Sequence, residues 1–203
     1  VVGNHDRDAA VGWRELDRRI GPVNYHFTYG NTLFVVLNCH PGNRIPGERE
    51  QFRKKLVDGP TAAEIEYLGR VLAADDHAVR IVMMHQPPDF ANDFAGFIGD
   101  GFTHLQREFL HLIGKHRVNL VCCAHVIVYD RYEHGGTCSL TTGGGGYSLE
   151  RTFAAPPNRG RFHHFVEITV HESGALSGRV IRAGHGTRSL PGFDFHVPPR
   201  PNC

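Results

Sequence analysis

Two short apolar segments constrain this chain more than any other feature. Ile81-Val82-Met83-Met84 and Leu120-Val121-Cys122-Cys123-Ala124 contain no polar side chain, and each stops at a histidine, His85 and His125. Runs this short read as strands covered on both faces, the pattern of a parallel sheet. Parallel neighbours need crossover helices, and the chain supplies them. Ile65, Leu68, Val71 and Leu72 recur at helical spacing after Pro60, a residue suited to a first helical turn. Leu105, Phe109, Leu112 and Ile113 form a second apolar face. Thr103 and Gln106 lie before it at capping-box spacing, and Lys115 and His116 suit its carboxyl end.

The remaining segments extend this pattern in two directions. Val1-Val2 reads as the tail of a strand ending at Gly3, and Trp13, Leu16 and Ile20 mark a short helix stopped by Gly21-Pro22. Tyr25–Tyr29 and Thr32–Asn38 are strands joined by Gly30-Asn31, a hairpin signal. Residues 40–60 read as a polar loop with a helical stretch near Glu48–Leu56, and 86–102 as a second loop. Later strands, Thr137–Thr142, His164–Val170 and Leu176–Ala183, follow one another without helices, with a turn at Gly143–Gly146. The order is βαβ-like first and antiparallel later. The expected fold is α/β: a sandwich of mixed sheets flanked by helices, one domain over residues 1–190, then an irregular proline-rich tail over 191–203.

Composition narrows the function. The formal net charge of +1 gives no basic excess for a nucleic acid, and no apolar run approaches the roughly 20 residues that span a bilayer. The five cysteines are odd in number and include the adjacent pair Cys122-Cys123, which argues against a disulfide framework. Neighbouring strand residues point to opposite faces, so a thiolate metal site is disfavoured too. Fifteen histidines, several-fold more than usual, invite a metal reading. The chain opens directly on its first strand, so residues upstream are expected. Its compartment is left open, with a cytoplasmic leaning.

Three apolar strands end in polar groups: Asn4-His5-Asp6, His85 and His125. In open α/β sheets ligands bind beyond the carboxyl ends of strands, and imidazole and amide ligands suit a first-row divalent ion. Gly3-Asn4-His5-Asp6 resembles the GNH(D/E) signature of the calcineurin-like metallophosphoesterases. Met84-His85-Gln86-Pro87-Pro88 resembles their strand-end histidine followed by prolines. Ala124 to Arg131 (Ala-His-Val-Ile-Val-Tyr-Asp-Arg) is similar to their GHxH segment, in the form seen in the purple-acid-phosphatase-like branch, and Thr142 to Gly146 to a later glycine turn. Order and intervals agree over nearly the whole chain.

The resemblance implies a β-sandwich carrying two divalent ions, of Mn, Fe or Zn, with further βα units preceding Val1. It implies hydrolysis of phosphomonoesters or phosphodiesters by in-line attack of a metal-bound hydroxide. Asn4, His85 and His125 resemble ligands of one ion. His5 resembles the histidine that protonates the leaving group, and Asp6 the acid that orients it. A helix cap is the plainer reading of Asp6. Arg131 suits a substrate phosphate or an internal salt bridge. The four glycines suit either a tight turn or close approach of backbone N–H groups to phosphate.

Two departures qualify this. The family's DxH and GD ligands lie upstream of GNHD, outside this chain. The second histidine of GHxH is Ile127, which has no lone pair, so one ion's site is impaired. Asp89, Asp93, Asp100 and His104 are candidate substitutes, whereas His163 and His164 read as surface or packing residues. His26 and His40 border the hairpin. The alternative function is a degenerate, non-catalytic binding domain of the same fold. The partner expected is a phosphate-ester substrate, with association of the chain through an exposed sheet edge; neither nucleic acid nor membrane is expected.

Overall fold

The computed structural model describes residues 1, 3, 18–39, 59–88, 102, 104–146, 159–160, 162–184, 186 and 189–200. Among them the strands are β1 Tyr25–Tyr29, β2 Thr32–Val36, β3 Val79–Met83, β4 Leu120–Cys123, β5 Tyr129–His134, β6 Thr137–Thr142, β7 Arg159–Gly160, β8 His164–Val170, β9 Leu176–Arg182 and β10 Phe195–Val197. Helix α1 is Ala62–Ala73 and α2 is Gln106–Lys115. Residues 18–20 are helical, while Trp13, Leu16 and the expected helical stretch at Glu48–Leu56 lie outside the described residues. No described helix is long and apolar enough to cross a membrane.

The strands form a seven-stranded sheet, order β1-β2-β3-β4-β6-β5-β7, and a three-stranded sheet, order β10-β9-β8. In the larger sheet β2, β3, β4 and β6 are parallel neighbours, and β1, β5 and β7 add antiparallel margins. The apolar runs account for the parallel centre because both of their faces are covered. Val82, Met84, Val121 and Cys123 pack with Leu68, Leu72, Phe109 and Ile113 of the helices. Ile81, Leu120, Tyr129 and Leu140 pack with Leu176, Val180 and Phe195 of the smaller sheet. Period-two alternation thus divides one strand between two cores. It also separates the adjacent cysteines: Cys123 joins the helical side and Cys122 the side of the second sheet. Burial pushes the Cys122 and Cys138 thiols up to about 12 and raises Cys123 as well. They behave as buried apolar groups rather than thiolates.

Several local expectations are corrected. Pro60 precedes the cap instead of occupying the first turn of α1. Thr61 is the cap, and Glu64 Oε2 accepts its backbone N–H at 2.8 Å and its hydroxyl. Helix α2 starts at Gln106 with Leu105 as its cap at φ 53°, not with a Thr103 capping box; Thr103 is outside the described residues. Phe195–Val197 is not irregular tail but strand β10, paired antiparallel with β9 because Phe195 and Val197 both bury their side chains between the sheets. Tyr129–His134, to which the sequence reading assigns no element, is a strand between β6 and β7, with Tyr129 and Asp130 buried.

At the open margin, β1 is exposed along its whole length. His26 donates to or accepts from the Tyr67 hydroxyl at 2.9 Å, on the side of α1. On the opposite side Phe27 stacks on Phe34, with ring centroids 4.8 Å apart.

Candidate metal site at the strand ends

The central ladder positions the two predicted histidines. Parallel pairing aligns Met83 with Cys122, and the hydrogen bonds continue one residue past the strands. Met84 N–H donates to the Cys122 carbonyl at 3.0 Å, and Ala124 N–H donates to the His85 carbonyl at 2.8 Å. His85 and His125 therefore leave the sheet side by side. His125 Nδ1 lies 3.1 Å from His85 Nε2, and the rings meet edge to face with centroids 5.0 Å apart. Both residues are half-buried.

The backbone at His125 is unusual. Its φ is 62°, in the left-handed region that side chains with a Cβ disfavour. A chain of tight bonds holds it there. Val126 N–H donates to the Ala124 carbonyl at 2.7 Å, Val128 N–H to Val126 at 2.9 Å, and Gly143 N–H to Val128 at 3.0 Å. Strain of this kind persists only where surrounding structure imposes it, and it concentrates at functional positions.

Gly3, the first residue of the amino-terminal motif, lies at the same point. Gly3 is buried, and a Cβ built on it would lie 2.8 Å from His85 Cε1 and 3.0 Å from Nδ1. Only glycine permits that approach. Gly3 thus lies against the His85 ring; Asn4, His5 and Asp6 lie outside the described residues, as do His40, Asp89, Asp93 and Asp100.

Chemically, the histidine pair fits a divalent ion. Ring nitrogens bound to one ion at about 2.0–2.1 Å and separated as these are subtend an angle of about 95–100°, within the range of common coordination geometries. In the absence of a cation, one ring N–H donates to the bare nitrogen of its neighbour, so only one proton occupies the gap.

Other predicted residues fall elsewhere. Arg131 lies within β5, paired with Leu140, and its guanidinium sits 5.2 Å from the centre of the Phe195 ring. That contact is cation–π packing between the sheets. His104 is exposed in the turn before α2. Ile127 is half-buried, and the glycine turn packs on its backbone. A Cβ on Gly143 would meet the Val126 carbonyl oxygen at 2.0 Å and Ile127 Cα at 3.1 Å, and one on Gly144 would meet His164 Nδ1 at 2.2 Å. What the structure shows at Gly143 and Gly144 is close packing, which is neither of the two readings given to these glycines.

His164 fastens that turn. Its Nδ1 is 2.8 Å from the Phe162 carbonyl oxygen, which can only accept, so Nδ1 carries the proton and Nε2 accepts from the Thr142 hydroxyl at 3.1 Å. Burial keeps its pKa below the ordinary 6.5, although the Phe162 carbonyl opposes this.

Sequence reasoning passed over one further cluster. Asp75, Asp76 and His77 bring potential ligand atoms together, at the other end of β3 from His85. Asp75 is already committed: Oδ2 accepts Arg80 Nε–H at 2.7 Å and Oδ1 lies 2.6 Å from His77 Nδ1. The Asp-Asp-His run was the available signal, and the structure makes it an ion-pair knot that anchors the start of β3.

No family model matches the sequence, and no curated protein matches it. Solved structures do. GAP50, described as the anchor in the inner membrane complex of Plasmodium, superposes with a TM-score of 0.61 at 14% identity, over 88% of this chain and 54% of that one. Purple acid phosphatase PPD1 from yellow lupin (Lupinus luteus) seeds superposes with a TM-score of 0.60 at 17% identity, over 86% of this chain and 32% of that one. The chain therefore spans about half and about a third of these two neighbours. The fold is a mixed α/β sandwich of the metallophosphoesterase type, as expected from the strand-end motifs.

Proposed function

We propose that this chain carries part of the active site of a metal-dependent phosphoesterase. The observation that supports this best is the placement of His85 Nε2 and His125 Nδ1 3.1 Å apart at the carboxyl ends of adjacent parallel strands, with Gly3 of the GNHD segment pressed on the first ring. His85 and His125 would hold the ion, with Asn4 as a further ligand. A divalent ion there supplies Lewis-acid stabilisation of phosphoryl charge and an acidified water. Around it, His5 would protonate the leaving oxygen and Asp6 would set the His5 tautomer. Arg131, expected as a phosphate contact, has its guanidinium 5.2 Å from the centre of the Phe195 ring, and this proposal gives it no step in the chemistry.

The test is metal content and turnover of the full-length protein. Wild type should bind Mn, Fe or Zn and hydrolyse aryl phosphate mono- or diesters, and His85→Ala and His125→Ala should each lose both. A protein that binds metal through these histidines yet turns over neither ester class with any of the three metals would refute the catalytic reading.

A second reading, a binding domain of the same fold, is favoured by one specific feature. Ile127 stands where the family motif has a ligand. The structural neighbour described as an anchor is compatible with such a role.

A further inference from the structure

A second polar centre lies at the opposite end of the sheet, where β3, β4 and β6 begin. Three arginines meet around the turn from α2 into β4. Arg80 in β3 reaches into this turn, its Nη1 donating to the His116 carbonyl at 3.0 Å. Arg117 lies in the turn itself. Arg200, three residues beyond β10, donates from Nη2 to Thr137 Oγ1 at 2.8 Å, and that hydroxyl donates in turn to the Val118 carbonyl at 2.9 Å.

Arg80 and Arg200 are held differently. Arg80 has a carboxylate partner, Asp75, which is also held by His77. Arg200 is fastened instead by a neutral hydroxyl, and its Nε is buried without a hydrogen-bond acceptor among the described residues. The side-chain nitrogen of Asn119 is in the same condition, while Asn119 Oδ1 accepts the Arg80 backbone N–H at 2.9 Å. Two orphaned donors and three guanidinium groups thus frame one turn. An unpartnered buried donor costs roughly 1–3 kcal/mol, more for a charged group, so an arrangement like this is stable chiefly when something accepts from it. The like charges act together. Burial, Arg117 and Arg80 all lower the Arg200 pKa. The tail that carries Arg200 is seated close by, with Pro199 against the turn at Gly174.

We propose that Arg200, with Arg117 and the Asn119 amide, binds a small oxyanion of the phosphate class at this amino-terminal edge of the sheet. Guanidinium forks are matched to such oxygens, and the bound anion would supply the acceptors that Arg200 Nε and Asn119 Nδ2 lack. The site is separate from the His85–His125 pair, which lies beyond the other ends of the same strands, and it needs no metal.

Inorganic phosphate is titrated into the full-length protein with chelator present, beside NaCl of equal ionic strength. Thermal unfolding and calorimetry are the readouts. Saturable binding is expected, with a Tm rise of several degrees over the NaCl control. Arg200→Gln should weaken it at least tenfold, Arg117→Gln should weaken it less, and His85→Ala should leave it unchanged. Circular dichroism checks that each variant is folded. If Arg200→Gln fails to fold, Arg200→Lys, which keeps the charge but loses the fork, should still weaken binding severalfold. Adenosine monophosphate run in parallel separates the sources. Binding as tight as that of phosphate points to the phosphoryl group of an ester, and binding of phosphate alone to the free anion. A Tm rise no larger than that in NaCl, binding unaffected in both Arg200 variants, or binding lost in His85→Ala would each overturn the assignment.

Discussion

Gly3 lies flat against the imidazole of His85, close enough that a Cβ on residue 3 would fall 2.8 Å from Cε1. The first residue of the GNHD segment is therefore a spacer, and its lack of a side chain sets where the His85 ring stands. Gly3→Ala is expected to push that ring away from His125. Overpacking of this kind costs roughly 1–3 kcal/mol of stability, and misplacing a metal-binding imidazole costs roughly 10–100-fold in affinity by analogy with lost supporting contacts. Isothermal titration with Zn or Mn on Gly3→Ala and wild type checks both, together with urea denaturation. Unchanged affinity would show that His85 is positioned by its strand alone.

The strain at His125 makes a separate prediction. Its φ of 62° penalises any residue with a Cβ by roughly 1–2 kcal/mol. His125→Ala and His125→Gly remove the same imidazole, but only glycine relaxes in the left-handed region. His125→Gly is expected to be the more stable of the two by about 1 kcal/mol, even though glycine gains more entropy on unfolding. Both should lose metal. Equilibrium denaturation of the pair decides it, and equal midpoints would mean that the backbone rearranges once the ring is gone.

How much of this was legible in the sequence depends on what each segment contacts. The apolar runs ending at His85 and His125 could be read as buried strands because both faces are covered, and burial leaves a compositional mark. The hairpin at Tyr25–Val36 was legible from Gly30-Asn31. Strand β5 was not, since Tyr-Asp-Arg-Tyr-Glu-His carries Asp130, Arg131, Glu133 and His134 and becomes a strand only between β6 and β7. Strand β10 was hidden by the prolines that follow it. At the site, the residue types were legible but the contact was not. The 3.1 Å approach depends on the β3–β4 register, and that register is fastened partly by Asn119 Oδ1 on the Arg80 backbone N–H, a contact between residues 39 apart. The conformation of His125 left no trace in its residue type.

His164 predicts how stability varies with pH. Burial depresses its folded pKa below the ordinary 6.5, and both ring nitrogens are committed in the neutral form. The unfolded chain therefore takes up the proton first as pH falls. The contribution is fully present above about pH 6.5, and it declines below that value until the folded pKa is passed. Tyr129, whose ring packs on His164, stays neutral throughout this range because burial raises its own pKa. Neighbouring His163 carries like charge when protonated and acts in the same direction. Melting curves between pH 5 and 8 should show Tm falling toward acid in wild type, with a shallower fall in His164→Gln. Parallel curves for the two proteins would remove His164 as the cause.

The open margin of the larger sheet predicts association. Along β1, Tyr25, Phe27 and Tyr29 are 40%, 44% and 81% exposed on one face, and among the described residues no strand pairs with the outer edge of β1. Unprotected edges of this kind pair with other chains. Light scattering of this 203-residue chain should show dimers or larger species, and Phe27→Lys should shift it toward monomer. A monodisperse monomer for the unaltered chain would contradict the expectation.

Ile127 bears on how many ions the site holds. It sits half-buried two residues beyond His125, where the family motif has a histidine, and its backbone is backed by Gly143. An aliphatic side chain offers no electron pair to a metal ion. In the full-length protein, metal analysis is expected to find close to one tightly held ion per chain. Ile127→His adds an imidazole at the motif position and should raise the content toward two, with a gain in ester hydrolysis if the upstream ligands are intact. Gly143 against the 126–127 backbone keeps that segment in place in the variant, so a histidine at 127 inherits the direction of the isoleucine. Two tightly held ions in the wild type would show that another residue already fills the position. One ion in both proteins would show that position 127 does not face the metal, and the departure at Ile127 would then carry no weight in favour of a non-catalytic role.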